Sequence, residues 1–193
     1  MRDIVKLGLI LLLVTSLAGA ALSVVNNITK PRIEEQKRQA ISLALTAALP
    51  AAANGVIESD TTSTTIQFYR GFCDSLKQQF VGYALLAKEN GYSSVIETMV
   101  GVDTTGTIVG LKILRQLETP GLGTKIEEIP HGDSIAYFQR QFIDKVAEQL
   151  IVDKDGGKFI TSITGATISS RAVTNSIRKG IQKLEQEIGG FKK

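Results

Sequence analysis

The sequence predicts an α+β protein: a single amino-terminal transmembrane helix, then a domain built on an antiparallel sheet and completed by a carboxy-terminal helix. Three observations carry this expectation. The 23 residues between Lys6 and Lys30 contain no charge. Residues 65–117 fall into segments rich in β-branched and aromatic residues, separated by turn signals. From Ser170 onward, apolar residues recur at intervals of three and four. At 193 residues the chain has room for one ordinary domain and an accessory segment.

The uncharged stretch, LGLILLLVTSLAGAALSVVNNIT, spans about 34 Å as a helix, enough for a hydrocarbon core of about 30 Å. A cleaved signal peptide is the rival, since Ala18-Gly19-Ala20 fits a small-x-small cleavage site. A retained anchor over residues 1–30 is favoured, because the apolar run outlasts a usual signal core and no polar segment precedes that site. A buried core helix fits poorly, being rarely apolar all round. Arg2 and Lys6 precede the span, whereas Lys30, Arg32, Lys37 and Arg38 follow it. The raw positive-inside count therefore leans towards a cytoplasmic domain, although long domains translocate despite such charges. Residues 31–53 read as a membrane-proximal helix, with Pro31 near its first turn and its end near Pro50. The charges at 32–38 form a solvated face of it.

The remaining domain is placed at 54–193. NGVIESDTTST (54–64) is polar and turn-rich and reads as a loop. TIQFYRGF, QFVGYALLAKE, SSVIETMVGVD and GTIVGLKIL read as strands, with ENGY (89–92) and DTTG (103–106) as hairpin turns. Successive hairpins imply an antiparallel meander. ETPGLGTKIEE (118–128) must break the last strand. DSIAYFQRQFID (133–144) reads equally as a short helix or a strand, and VAEQLIVDKDGGKFI (146–160) as another strand before a Gly-Gly turn. Val173, Ile177, Ile181, Leu184 and Ile188 then form one apolar stripe on a helix of about five turns, ended by Gly189-Gly190.

Composition removes several classes of function. A net charge of +3 with Lys and Arg scattered among acids offers no nucleic-acid stripe. The single Cys73 and single His131 exclude a disulfide framework and any multi-cysteine or histidine-rich metal site supplied by this chain alone. Cys73 reads as a half-buried strand residue and His131 as an exposed loop residue.

Chemistry concentrates in SITGATISS (162–170), which is almost wholly small and hydroxylated. It leads into the last helix, where Ser169 or Ser170 is placed to cap. The free N–H groups and partial positive charge of a helix start attract anions, so a phosphate near Thr167 needs no strong cation. Gly165 permits positive φ or close approach, and Ala166 adds almost no bulk. The plain alternative is a capped loop with no ligand.

TGATISSRAV resembles the Ser/Thr-Gly-Ala-Thr flavinylation motif of covalent FMN-binding domains. A second segment, GYSSVIETMVGVDTTGTIVGLKILRQLETPGLGTKI (91–126), resembles the strand–turn–strand and ETPGLG signature of the RnfG component of Rnf electron-transport complexes. It is similar also to NqrC, the equivalent component of the sodium-translocating NADH:quinone reductase. With the single anchor, the resemblance covers nearly the whole chain. It implies that 54–193 is a covalent FMN-binding domain and that FMN is held by a phosphoester to Thr167. An unassisted threonine hydroxyl is a poor nucleophile; the family relies on a separate flavin transferase that takes the FMN moiety from FAD, which makes Thr167 an acceptor rather than a catalyst. Glu118 and Thr119 are implied in polar contacts with the flavin and Leu122 in packing on its ring, while Gly121 and Gly123 complete the signature. Thr164 and Ser170 bind phosphate or only cap; both remain open. One departure stands out: the family's motif has aspartate three residues before its first Ser/Thr, where this chain has Thr161.

The function so implied is that of an electron relay between reduced ferredoxin and NAD, in a complex of membrane and soluble subunits that translocates sodium ions or protons. This chain itself has no GxGxxG fingerprint and one span, so it should neither bind NAD nor pump ions. Its FMN domain should lie outside the cytoplasmic membrane. The rivals are the quinone-reductase counterpart, an anchored non-redox protein that keeps the fold, and a free-standing flavin reductase.

Overall fold

The computed structural model describes residues 1–60 and 66–191. Its first element, helix α1 (Arg2–Ala48), contains an 18-residue window of mean hydropathy 2.3, none of it buried. The chain divides into two compact units, Met1–Ala40 and Ile41–Lys193. In the first unit the helix runs through Pro31 rather than starting there. Proline costs the interior one backbone hydrogen bond but does not end it. Within the apolar stretch, Thr15 and Thr29 donate their hydroxyls to the carbonyls of Leu11 (2.9 Å) and Val25 (2.8 Å). Their polar atoms are thus satisfied inside the helix, as a hydrocarbon surrounding requires.

The second unit is built on five strands: β1 (Val56–Asp60), β2 (Phe68–Phe72), β3 (Phe80–Asn90), β4 (Val95–Asp103) and β5 (Ile108–Arg115). Each pairs antiparallel with its chain neighbour, so the sheet order is β1-β2-β3-β4-β5, the expected meander. β1 corrects the expectation of a loop at 54–64. VIESD shows no alternation to read, yet it pairs with β2 from Val56 opposite Phe72 to Asp60 opposite Phe68. Backbone pairing at a sheet edge decides its conformation, not a buried face. Residues 61–64 of that expected loop, and Thr65 of the expected first strand, lie outside the described residues.

Both expected hairpins form, but the first turn lies at 91–94 rather than 89–92, since Glu89 and Asn90 still pair with Ile96 and Val95. Gly91 N–H donates to the Ser94 carbonyl (2.7 Å) between β3 and β4. Asp103 Oδ1 accepts from the N–H groups of Thr105 and Thr107 between β4 and β5. The ambiguous 133–144 segment contains a short helix, α2 (Tyr137–Arg140), which buries Phe138 against Phe142 edge to face at 5.4 Å. The strand expected within 146–160 does not form. That segment has 3-10 turns at Ala147–Gln149 and Asp153–Asp155 and one parallel bridge, Val152 to Ile160. Its apolar residues Leu150, Val152 and Ile160 plug into the core from irregular chain instead of extending the sheet.

Helix α3 (Thr167–Ile188) begins three residues earlier than its apolar stripe suggests. Val173, Ile177, Ile181 and Leu184 are fully buried on one face of the sheet with Leu85, Ile96, Val100 and Ile113. Gly189, at φ +77°, ends the helix in the left-handed conformation, as its position after the stripe predicts. The other sheet face is covered by Ala44, Leu45 and Ala48 at the end of α1 with Leu49 and Ala52, packed on Tyr69, Ala84 and Met99.

Candidate functional site

Thr167 is the first residue of α3, and no side chain among the described residues caps that helix. This corrects the expectation for Ser169 and Ser170, which lie inside its first turns. Ser170 is buried; its hydroxyl donates to the Ala166 carbonyl (3.0 Å) and accepts from Ile163 N–H (3.0 Å). Ser169 donates instead to Glu118 Oε2 at 2.6 Å. The early N–H groups of an α-helix have no intrahelical acceptor, so they are left for water or a ligand. Ahead of the helix, Ala166 N–H closes a turn onto the Ile163 carbonyl (2.9 Å), and Gly165 takes φ +80°, where a side chain is strained.

Glu118 is the most heavily engaged side chain nearby. It is 4% exposed. Its Oε2 accepts from Tyr92 N–H (2.9 Å) as well as Ser169, and its Oε1 accepts from the N–H groups of Ser93 and Ser94 (3.0 Å each) and from Ser94 Oγ (3.3 Å). Burial raises its pKa, but the Ser169 hydroxyl and the three backbone donors prevail and hold it below the ordinary carboxylate range. Two glycines make room for it: a Cβ on Gly91 would come within 2.6 Å of Glu118 Oε1, and one on Gly123 within 2.5 Å of Glu118 Cβ.

Between these features lies a cleft of about 540 Å³, within the range of about 300–1,000 Å³ usual for small-molecule sites. Glu118, Thr119, Leu122 and Gly123 form one wall, and residues 165–169 form the other, with Tyr92 at the rim. Leu122 and Ile168, 44% and 49% exposed, give the cleft apolar surface. Among the described residues no lysine or arginine lines the cleft.

Seven of the ten residues singled out from the sequence therefore meet at one place: Glu118, Thr119, Leu122, Gly123, Gly165, Ala166 and Thr167. The other three do not line it. Thr164 is exposed, Ser170 is committed to holding the turn, and Gly121 is exposed at φ +75° with its N–H donating to Thr124 Oγ1 (3.0 Å). Tyr92, Ile168 and Ser169 complete the cleft without having been singled out as contacts. Tyr92 follows the first glycine of the 91–126 signature, the one signal that could have found it.

Thr161 is exposed, with its N–H donating to Gln141 Oε1 at 2.7 Å. Two aspartates distant in sequence reach this segment in space. Asp153 Oδ1 accepts from Ser162 N–H (3.0 Å), and Asp155 takes both Nε (2.8 Å) and Nη2 (2.6 Å) of Arg171. The Ser162 bonds lower the Asp153 pKa, and the Arg171 guanidinium lowers that of Asp155. Cys73 is half-buried just after β2, its thiol donating to Gln79 Oε1 (2.9 Å), and His131 is exposed. Among the described residues no group of His, Cys, Asp and Glu could hold a metal ion.

The model of the FMN-binding domain family matches residues 91–182, and that of the RnfG N-terminal region matches residues 1–48. The G component of the Na(+)-translocating ferredoxin:NAD(+) oxidoreductase complex of Acetobacterium woodii is 31% identical, over 94% of this chain and 91% of its own length. The chain belongs to the RnfG family. The G component of the ion-translocating oxidoreductase complex of Shewanella amazonensis is 30% identical over 92% of this chain and 86% of its own. The crystal structure of NqrC from Shewanella oneidensis covers 68% of this chain and 69% of its own, with TM-score 0.47 and 19% identity.

For a member of the RnfG family the relevant ligand is FMN, and the cleft fits it. The uncapped start of α3 suits a phosphate, the apolar surface of Leu122 and Ile168 suits a flat ring, and the volume suits the whole.

Proposed function

We propose that this protein is the FMN-carrying electron-transfer subunit of an ion-translocating ferredoxin:NAD+ oxidoreductase, with FMN linked through its phosphate to Thr167 Oγ1. The observation that carries the reading is the position of Thr167: first residue of an uncapped helix, opening into a cleft built by both signature segments. Attachment forms the Thr167 Oγ1–phosphorus bond and breaks the pyrophosphate bond of FAD. AMP leaves, the hydroxyl proton passes to solvent, and a separate transferase supplies the catalysis. A phosphodiester at Thr167 keeps one negative charge, which the first-turn N–H groups of α3 are placed to receive.

The bound flavin would supply one- or two-electron redox chemistry. The chain's own residues then bind and orient it. Leu122 and Ile168 hold the ring between apolar surfaces and exclude water from its faces. Gly165 lets the backbone pass close beneath the phosphate, and Ser170 keeps the 163–166 turn in shape. Tethering also makes occupancy independent of free FMN. The protein spans the membrane once, its FMN domain lies on the extracytoplasmic side, and its partners are the other membrane and soluble subunits of the complex.

The test is flavin fluorescence after denaturing electrophoresis of protein taken from its native membrane, with Thr167→Val alongside. A fluorescent band in the wild type that disappears in the variant is the expected result. A bare polypeptide mass in the wild type would overturn the covalent-carrier reading.

A further inference from the structure

We infer that Glu118 is a fixed anion in the wall of the cleft that lowers the reduction potential of the flavin held there. The inference rests on the FMN reading above and goes beyond it by assigning a residue that sets the cofactor's energy. Glu118 neither gives nor takes an electron or a proton; it acts through its charge.

Three features of the site make the charge permanent. The carboxylate meets only donors: the N–H groups of Tyr92, Ser93 and Ser94, and the hydroxyls of Ser94 and Ser169, at 2.6–3.3 Å. A neutral acid would place its proton on Oε2, which already faces the Tyr92 N–H, or on Oε1, which faces those of Ser93 and Ser94, and an N–H group cannot accept it. The carboxylate is also closely packed, lying in the room left by Gly91 and Gly123, where an added Cβ would come within 2.6 Å of Glu118 Oε1 and 2.5 Å of Glu118 Cβ. Finally, none of the ion pairs among the described residues involves Glu118, and no lysine or arginine among them lines the cleft to offset it.

Five neutral donors stabilise the anion locally without cancelling its net charge. Glu118 itself is 4% exposed, and a buried charge is screened less than one at a surface. Electrons entering an isoalloxazine ring in the same cleft make the ring more negative, and an adjacent fixed anion opposes this. The potential is therefore lower than the same flavin would have beside a neutral residue.

The experiment compares midpoint potentials, by spectroelectrochemical titration, of flavinylated wild type, Glu118→Gln and Ser169→Ala. Glu118→Gln removes the charge and should shift the potential upward. Ser169→Ala removes one shielding hydroxyl while leaving the charge, and should shift it downward. A residue that merely held the fold together would move both variants the same way. An unchanged or lowered potential in Glu118→Gln overturns the inference. Should Glu118→Gln fail to take up flavin, Ser169→Ala decides: a lower potential supports the fixed anion, and an equal or higher one overturns it.

In unflavinylated protein, the 13C carboxyl resonance of Glu118 should report an ionised group at pH 5, and a protonated one there also overturns the inference. This readout needs no cofactor. A wild type that never acquires flavin would count against the FMN reading alone, while the carboxyl resonance still tests the anion.

Discussion

One wall of the cleft is closed upon itself, whereas the other is left open. In the turn that begins at Glu118, hydrogen-bonding capacity is used internally: the carboxylate gathers five donors, Glu118 N–H donates to Gln116 Oε1 (2.7 Å), and Leu122 N–H to the Thr119 carbonyl (3.1 Å). Facing it, the start of α3 presents an uncapped first turn, with its nearby serines turned to other tasks. A saturated wall is scaffold and an unsaturated one is a place for a ligand. The two are joined through Ser169, whose hydroxyl donates to Glu118.

The sharpest way to break this contrast is to empty the closed wall. Glu118→Ala leaves five donors without their acceptor and should cost about 3 kcal/mol or more in chemical denaturation. Gly123→Ala intrudes on the same spot, 2.5 Å from Glu118 Cβ and 2.8 Å from Ser169 Oγ, and should cost about 2 kcal/mol on the same assay.

Acid should act on the closed wall too. Because the folded pKa of Glu118 is depressed, its stabilising contribution is complete above about pH 4.3 and fades as pH falls through the folded value. Denaturation midpoints measured down the acid range should therefore fall less steeply in Glu118→Gln than in wild type. On the open wall, Gly165→Ala forces a side chain to φ +80° against Leu122 and should cost about 1 kcal/mol, with a larger proportional loss of flavin attachment than of stability. Arg171→Ala, which removes only the exposed pair with Asp155, should leave the melting temperature nearly unchanged.

The sheet is legible because its strands are rich in β-branched and aromatic residues and its turns are marked by Asn-Gly and Asp-Thr-Thr-Gly. β1 is not, since an edge strand with one half-buried face imposes no pattern. The α3 stripe is plain from Val173 onward, but its first turn is made of residues that favour caps and turns, so the sequence reads as helical only from Ser170. Thr167, in turn, stands out only through resemblance to a known motif. Glu118 shows the limit of linear reading most clearly. Its partners lie 24–26 residues upstream and 51 downstream, and only folding brings them to one carboxylate. A sequence scan can nominate it for contact with a cofactor but cannot see that its acceptors are already taken.

Thr167 does not sit on a loop. It is the first residue of a 22-residue helix whose stripe is buried along the sheet and whose far end is closed by Gly189. A flavin tethered there, as proposed above, would have its phosphate end fixed to a helix packed along the sheet, and only the bonds between Thr167 Oγ1 and the ring would be free to turn.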